Sequence, residues 1–155
     1  FNLIEKFYKE FECTAYEKNL IVRHYGSRKK LNKKILKIID NVTEKTKKNS
    51  GQYINLVFNY GSRDEIITAF KEIRSKKINV KIFEKNLQTS KSNDPDLIVR
   101  TGGEMRLSNF MLWQAAYSEL YFTKILWPDF GISNLNNILI NYNKRIRRFG
   151  DINGT

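Results

Sequence analysis

The chain is poor in the residues that usually announce chemistry. It has one cysteine, Cys13, and one histidine, His24, in 155 residues. A single cysteine excludes an internal disulfide and fits a reducing compartment. No cysteine–histidine cluster has the spacing of a zinc site. Cys13 and His24 are far apart, with no anchored acid partner, and give no nucleophilic triad. His24 lies in a strand-like run, so a structural role is expected. There is no long uncharged apolar run, no signal-peptide pattern, no internal repeat and no GxxxxGK[ST] loop. The chain therefore reads as one soluble domain over residues 1–155. It opens on Phe1, already inside a helical pattern, and further chain upstream is expected.

Hydrophobic residues make up 41% of the chain and aromatics 13%, which excludes a disordered protein. Lysine and arginine number 28 against 16 acids, a formal charge of +12. That surplus suits an anionic partner. A compositional bias toward lysine, isoleucine and asparagine explains it equally well, and charge alone leaves the two open. Apolar residues at Leu3, Ile4, Phe7, Phe11 and Ala15 predict a helix to about Lys18. "NLIVRHYG" predicts a strand, and Leu31, Ile35, Ile38, Ile39 and Val42 predict a second helix. "YINLVFNYG" predicts a strand and "SRDEIITAFKEI" a helix, started by a capping box of Ser62 and Glu65. "KNLQTSKSNDP" reads as a polar loop, followed by the strand "DLIVR". Helices are expected from Ser108 to Tyr117 and from Leu135 to Arg147, with the strand-like "LYFTKILW" between them. Alternating strands and helices imply an α/β fold with a largely parallel sheet.

Parallel sheets bind ligands at the carboxyl ends of their strands. One such end is "NYGSRDE", residues 59–65, where Arg63 in the first helical turn opposes the helix dipole. It implies an anionic ligand, or pairing with Asp64, Glu65 or another chain. The other end is "DPDLIVRTGGEMRLSNFMLWQ", residues 94–114. There Arg100 closes a strand, Gly102 and Gly103 permit a tight turn, Arg106 follows, and Ser108 is placed to cap a helix. Two planar guanidinium groups beside a helix start match phosphate oxygens. An Arg–Glu104 ion pair beside an ordinary capping serine fits the pattern equally well.

The run "DPDLIVRTGGEMRLSNFMLWQAAYSELYFTKILWPDF" resembles the signature of the cis-prenyltransferases, also called isoprenyl transferases or undecaprenyl diphosphate synthases. "NYGSRDEI" is similar to that family's Asn-Tyr-Gly-Gly-Arg-x-Glu-Ile segment, and "RIRRFG" at 145–150 to its basic C-terminal motif. The resemblance implies an α/β transferase that condenses isopentenyl diphosphate onto an allylic diphosphate such as farnesyl diphosphate. The implied product is a polyprenyl diphosphate, in bacteria undecaprenyl diphosphate, the lipid carrier of cell-wall sugars. It also implies a homodimer, cytoplasmic and in peripheral contact with membrane through its lipid product, with no nucleic-acid partner. By the same resemblance Arg100, Arg106, Leu107 and Ser108 bind isopentenyl diphosphate and Glu119 binds Mg2+.

The chain also departs from the family. It contains neither the Asp-Gly-Asn-Gly-Arg-Trp segment that carries the catalytic aspartate nor a Ser-x-Asn-Trp segment. The expectation is a C-terminal two-thirds without the first strands, holding no catalytic residue and inactive alone. Ser62 stands where the family has glycine, and Met105 where histidine or glutamine is common. A non-catalytic partner subunit or degenerate homologue of such an enzyme is the alternative, and a basic nucleic-acid-binding domain the remote one.

Overall fold

A computed structural model describes residues 2–74 and 77–145, apart from the side chains of 2–5, 8 and 9. The chain divides into two compact units, Phe1–Thr89 and Ser90–Thr155.

The N-terminal unit runs α1 (Asn2–Glu17), β1 (Ile21–Tyr25), α2 (Lys33–Thr46), β2 (Tyr53–Val57), α3 (Ser62–Glu72) and α4 (Val80–Lys85). The three-four spacing of apolar residues in α2 places Ile35, Ile38, Ile39 and Val42 on one buried stripe. They pack with Ala15 of α1 and Val22 of β1, flanked by Phe11, Leu20, Leu31 and Leu56. Truncating Ile35, which is 1% exposed, to alanine is expected to cost about 2–5 kcal/mol. Asn32 caps α2 by accepting a hydrogen bond from the Ile35 N–H at 2.8 Å. At the other end, the buried Thr46 hydroxyl donates to the Val42 carbonyl at 2.8 Å and accepts from the Val22 N–H at 3.1 Å. That contact locks helix to strand. β1 and β2 pair in parallel from Ile21↔Tyr53 to Tyr25↔Val57. Beyond them Gly26, at φ +133°, passes so close to Phe58 that a Cβ would lie 1.9 Å from its carbonyl oxygen.

The expected capping box at α3 does not form. The N-cap is Gly61, and Ser62 is already helical and buried. Glu65 turns inward instead: its carboxylate accepts from the Thr89 N–H and hydroxyl, both at 3.0 Å, and from the Tyr60 hydroxyl. Three donors in a buried pocket outcompete one backbone N–H at the helix start. Helix α4 lies just before the predicted polar loop, in a stretch given no element from sequence; Asn79 caps it by accepting from Ile82 N–H at 3.0 Å.

The C-terminal unit runs β3 (Leu97–Arg100), β4 (Glu119–Phe122), a 3-10 turn (Trp127–Asp129) and α5 (Ile132–Asn143). β3 and β4 pair in parallel from Leu97↔Glu119 to Arg100↔Phe122. Parallel pairs flanked by helices make this an α/β protein, as its sequence implies. The helix expected from Ser108 to Tyr117 is replaced by consecutive turns. Ser108, Asn109 and Met111 sit at φ +49°, +63° and +46°, left-handed values that an α-helix cannot contain. Helix α5 starts three residues before its expected start and ends at Asn143; Arg147, the expected end, lies outside the described residues.

Candidate functional site

The two strand ends singled out in the sequence fall one in each unit. In the C-terminal unit Arg100 is the last residue of β3. The chain after it is pinned back onto the segment following β4, Gly102 N–H to the Ile125 carbonyl at 2.9 Å and Gly103 N–H to the Thr123 carbonyl at 2.8 Å. Both glycines are left-handed, at φ +88° and +81°. Their value here is conformational, since their N–H groups are already bonded and do not face a ligand. The left-handed residues Ser108, Asn109 and Met111 then turn the chain, and Ser108 meets the strand end. Its hydroxyl oxygen accepts from Arg100 Nη1 at 3.0 Å, and the same nitrogen donates to the Arg106 carbonyl. Ser108 is thus an anchor for Arg100 and not a helix cap, so no helix N-terminus assists anion binding at this point.

Arg106 pairs with Glu104, the bland alternative that the sequence left open. Their side chains are 62% and 49% exposed, so the pair contributes only about 0.2–1 kcal/mol. A diphosphate carries more negative charge than a carboxylate and matches a guanidinium bidentately. Beside the two arginines lies a cavity of about 260 Å³ lined by Ile98, Val99, Thr101, Leu107 and Phe110. Leu107 and the arginines were legible in the sequence of this run, whereas Ile98, Val99, Thr101 and Phe110 were not. The only available signal was apolar spacing, which pointed to an ordinary helix face. Two cationic forks beside a small apolar hollow suit a ligand with an anionic head and a short hydrocarbon tail.

Glu119 does not join that cluster. The parallel register pairs it with Leu97, three positions before Arg100 and about 10 Å away along the strand. Side chains alternate along a strand, so Glu119 and Arg100 also point to opposite faces. Its carboxylate is held by Arg145. Among the described residues no group of three or more His, Cys, Asp or Glu side chains could enclose a metal ion. A single carboxylate that is 27% exposed, already paired with Arg145 and turned away from the arginine cluster, does not by itself fit a magnesium ion bridging to a diphosphate held there. Magnesium commonly takes one or two carboxylates and fills its other positions with phosphate oxygens and water.

In the N-terminal unit the carboxyl ends of β1 and β2 border a cavity of about 820 Å³, lined among others by His24, Arg28, Asn59, Asp64, Lys71 and Gln88. Asn59, at φ +53°, donates to the Ser27 and Lys29 carbonyls at 2.7 and 3.1 Å and so ties the two strand ends together. Arg28 is held by both oxygens of Asp40 at 2.8 Å. Arg63 is exposed on α3. His24 has its pKa lowered, first by burial and then by the nearby Arg28 charge, against the opposing effect of its bond to the Phe58 backbone. Its Nε2 is buried with no hydrogen-bond partner, in keeping with a neutral structural histidine.

The family model described as putative undecaprenyl diphosphate synthase matches residues 1–150. The chain belongs to this family. Its members include isoprenyl transferases: the one from Leptospira interrogans (strain Fiocruz L1-130) is 43% identical over 98% of this chain. The chain spans 67% of that relative's length. Among solved structures, a probable undecaprenyl diphosphate synthase from Campylobacter jejuni matches with a TM-score of 0.90 and 35% identity, over 97% of this chain and 73% of that one. Lavandulyl diphosphate synthase from Lavandula x intermedia, solved in complex with dimethylallyl diphosphate, matches with a TM-score of 0.86 and 30% identity, over 95% of this chain and 70% of that one. As a cis-prenyltransferase homologue the chain is of the transferase class, and its parallel pairs flanked by helices are those of that α/β fold.

Proposed function

We propose that this chain carries the isopentenyl diphosphate-binding half of a cis-prenyltransferase. That enzyme joins isopentenyl diphosphate to an allylic diphosphate such as farnesyl diphosphate, and its product is a polyprenyl diphosphate, undecaprenyl diphosphate in the first instance. The observation that carries the proposal is the pair Arg100 and Arg106 at a strand end beside a 260 Å³ apolar hollow. Arg100, braced by the Arg106 carbonyl and by Ser108, presents a fixed fork to one phosphate. Arg106 releases Glu104 and takes the other. Leu107 and Phe110 shield the five-carbon tail from water and fix the face it presents for attack. That a structural relative holds a five-carbon diphosphate supports this size of ligand.

The family resemblance gives Glu119 to magnesium, but its carboxylate lies on the other face of the strand pair from Arg100 and is held by Arg145, so the binding proposed here rests on the arginines and on no metal. The Asp-Gly-Asn-Gly-Arg-Trp segment is not among these 155 residues. We therefore assign the isolated chain binding without turnover; the resemblance to the family supports a homodimer working beside a membrane, where its lipid product goes. No described helix is long and apolar enough to cross one. Met105 is 78% exposed, so the side chain that departs from the family's polar residue points to solvent and leaves the bonds of Arg100 intact.

The test has two arms. Titration calorimetry of the chain with isopentenyl diphosphate is expected to show binding that Arg106→Ala weakens about tenfold, the loss of roughly 1.4 kcal/mol. Expression from the gene with its upstream sequence is expected to give magnesium-dependent incorporation of radiolabelled isopentenyl diphosphate. Binding without incorporation there would favour a non-catalytic partner subunit. Absence of both would end the proposal.

A further inference from the structure

Helix α3 carries large apolar residues on its solvent side. Its buried residues are Ser62, Glu65 and Ala69; Ile67 and Phe70 lie on the opposite side of the helix, each more than half exposed. At the entry to α4, Ile78 and Val80 are also more than half exposed. The two helices contact each other, which keeps the four side chains in one region of the N-terminal unit. Single exposed apolar residues are ordinary on a protein surface, whereas four between positions 67 and 80 are a concentration. Exposed Lys71, Arg74, Lys77, Lys81 and Lys85 are interleaved with them. Over residues 67–85 the sequence has six lysines and arginines against two acids, Glu72 and Glu84. That surplus of four is a third of the chain's +12 in a short segment.

The mixture selects among anionic partners. Nucleic acid rewards arginine and stackable rings, but here lysine predominates and Phe70 is the one exposed ring of the segment. Protein interfaces are depleted in lysine and built around tryptophan, tyrosine and arginine. Lysines beside aliphatic side chains suit a membrane surface, where apolar groups enter the acyl boundary and ammonium groups stay among anionic headgroups. We propose that the α3–α4 surface docks on an anionic lipid bilayer, with Ile67, Phe70, Ile78 and Val80 as the apolar contacts and Lys71, Arg74, Lys77 and Lys81 as the headgroup contacts. The inference rests on the membrane placement proposed above and gives it a surface; it does not involve the arginine cradle, which lies in the other unit.

Co-sedimentation of the full 155-residue chain with vesicles tests it. The chain is expected to bind vesicles of equal parts phosphatidylglycerol and phosphatidylcholine, to bind phosphatidylcholine alone weakly, and to let go as salt is raised. Ile67→Ser/Phe70→Ser and Lys71→Gln/Lys81→Gln are each expected to weaken binding about tenfold or more, with the urea unfolding midpoint little changed. Ile132→Ser removes an exposed apolar side chain of α5, and Lys37→Gln/Lys48→Gln removes the same charge on and just beyond α2. Both controls are expected to change binding less than about threefold. If the two α3–α4 variants bind no worse than these controls, the surface is refuted and the membrane placement stands. If the wild type shows no preference for anionic vesicles, both are refuted, and isopentenyl diphosphate titration of the same protein still decides the diphosphate site by itself. Binding to a DNA duplex in place of vesicles, weakened by the same variants, would overturn the lipid assignment.

Discussion

Ser108 offers the sharpest test of how the arginine cradle is built, because the structure gives its hydroxyl to Arg100 instead of to a helix N-terminus. The bond is exposed, so deleting its acceptor is expected to cost about 0.5–1 kcal/mol, a two- to fivefold loss of affinity for isopentenyl diphosphate. Arg100→Ala removes that brace and also a charge-assisted bond to phosphate, together about 2–4 kcal/mol, or about thirtyfold or more. If Ser108 acts through Arg100, the double variant Ser108→Ala/Arg100→Ala should bind no worse than Arg100→Ala alone. The coupling energy then equals the whole effect of Ser108→Ala. Calorimetric titration of the four proteins closes this cycle. Additivity within about 0.3 kcal/mol would mean that Ser108 acts independently of Arg100, and the anchoring role would be refuted.

Three further outcomes follow from side chains already described. Glu104→Gln, which frees Arg106 from its exposed partner, should tighten isopentenyl diphosphate binding by about two- to fivefold; weaker binding in the same titration would make Glu104 part of the cradle. Glu65→Ala leaves the buried Thr89 N–H and hydroxyl without this acceptor and should lower unfolding stability by at least about 3 kcal/mol in urea, whereas a change under 1 kcal/mol would deny the pocket its structural weight. The folded chain binds the His24 proton less readily than the unfolded chain, whose histidine titrates near 6.5. The stability this contributes is therefore complete above pH 6.5 and falls as pH drops from there through the lowered folded value. His24→Gln should flatten that part of the stability–pH curve, and an unchanged slope would assign it to other groups.

Where local pattern and tertiary packing agree, the chain is legible. The stripe Ile35, Ile38, Ile39 and Val42 predicts α2 and is buried as its period says it should be, and the short apolar runs at 21–25, 53–57 and 97–100 predict strands that pair in parallel. The stretch 108–117 fails for a definite reason. Its apolar spacing suits a helix, but three left-handed residues, stabilised by the Arg100 brace, break it at the start. Glu65 fails in the same way: its spacing from Ser62 is that of a capping box, yet buried donors from Thr89 and Tyr60 claim the carboxylate. The arginines of the site are visible in the sequence as residues beside a glycine turn. Their arrangement is not, since the Arg100–Ser108 bond depends on positive φ values and the separation of Glu119 depends on a parallel register. Neither quantity is carried by local composition. The motif at 145–150 is visible as a cluster of positive charge, and Arg145 shows one thing such charge can do; residues 146–150 lie outside the described residues.

A crystal of the chain grown with isopentenyl diphosphate tests the central claim most directly. The account predicts diphosphate oxygens about 2.7–3.2 Å from the guanidinium nitrogens of both Arg100 and Arg106, Glu104 displaced, and the hydrocarbon tail against Leu107 and Phe110. A diphosphate bound elsewhere, with Arg106 still on Glu104, would contradict it.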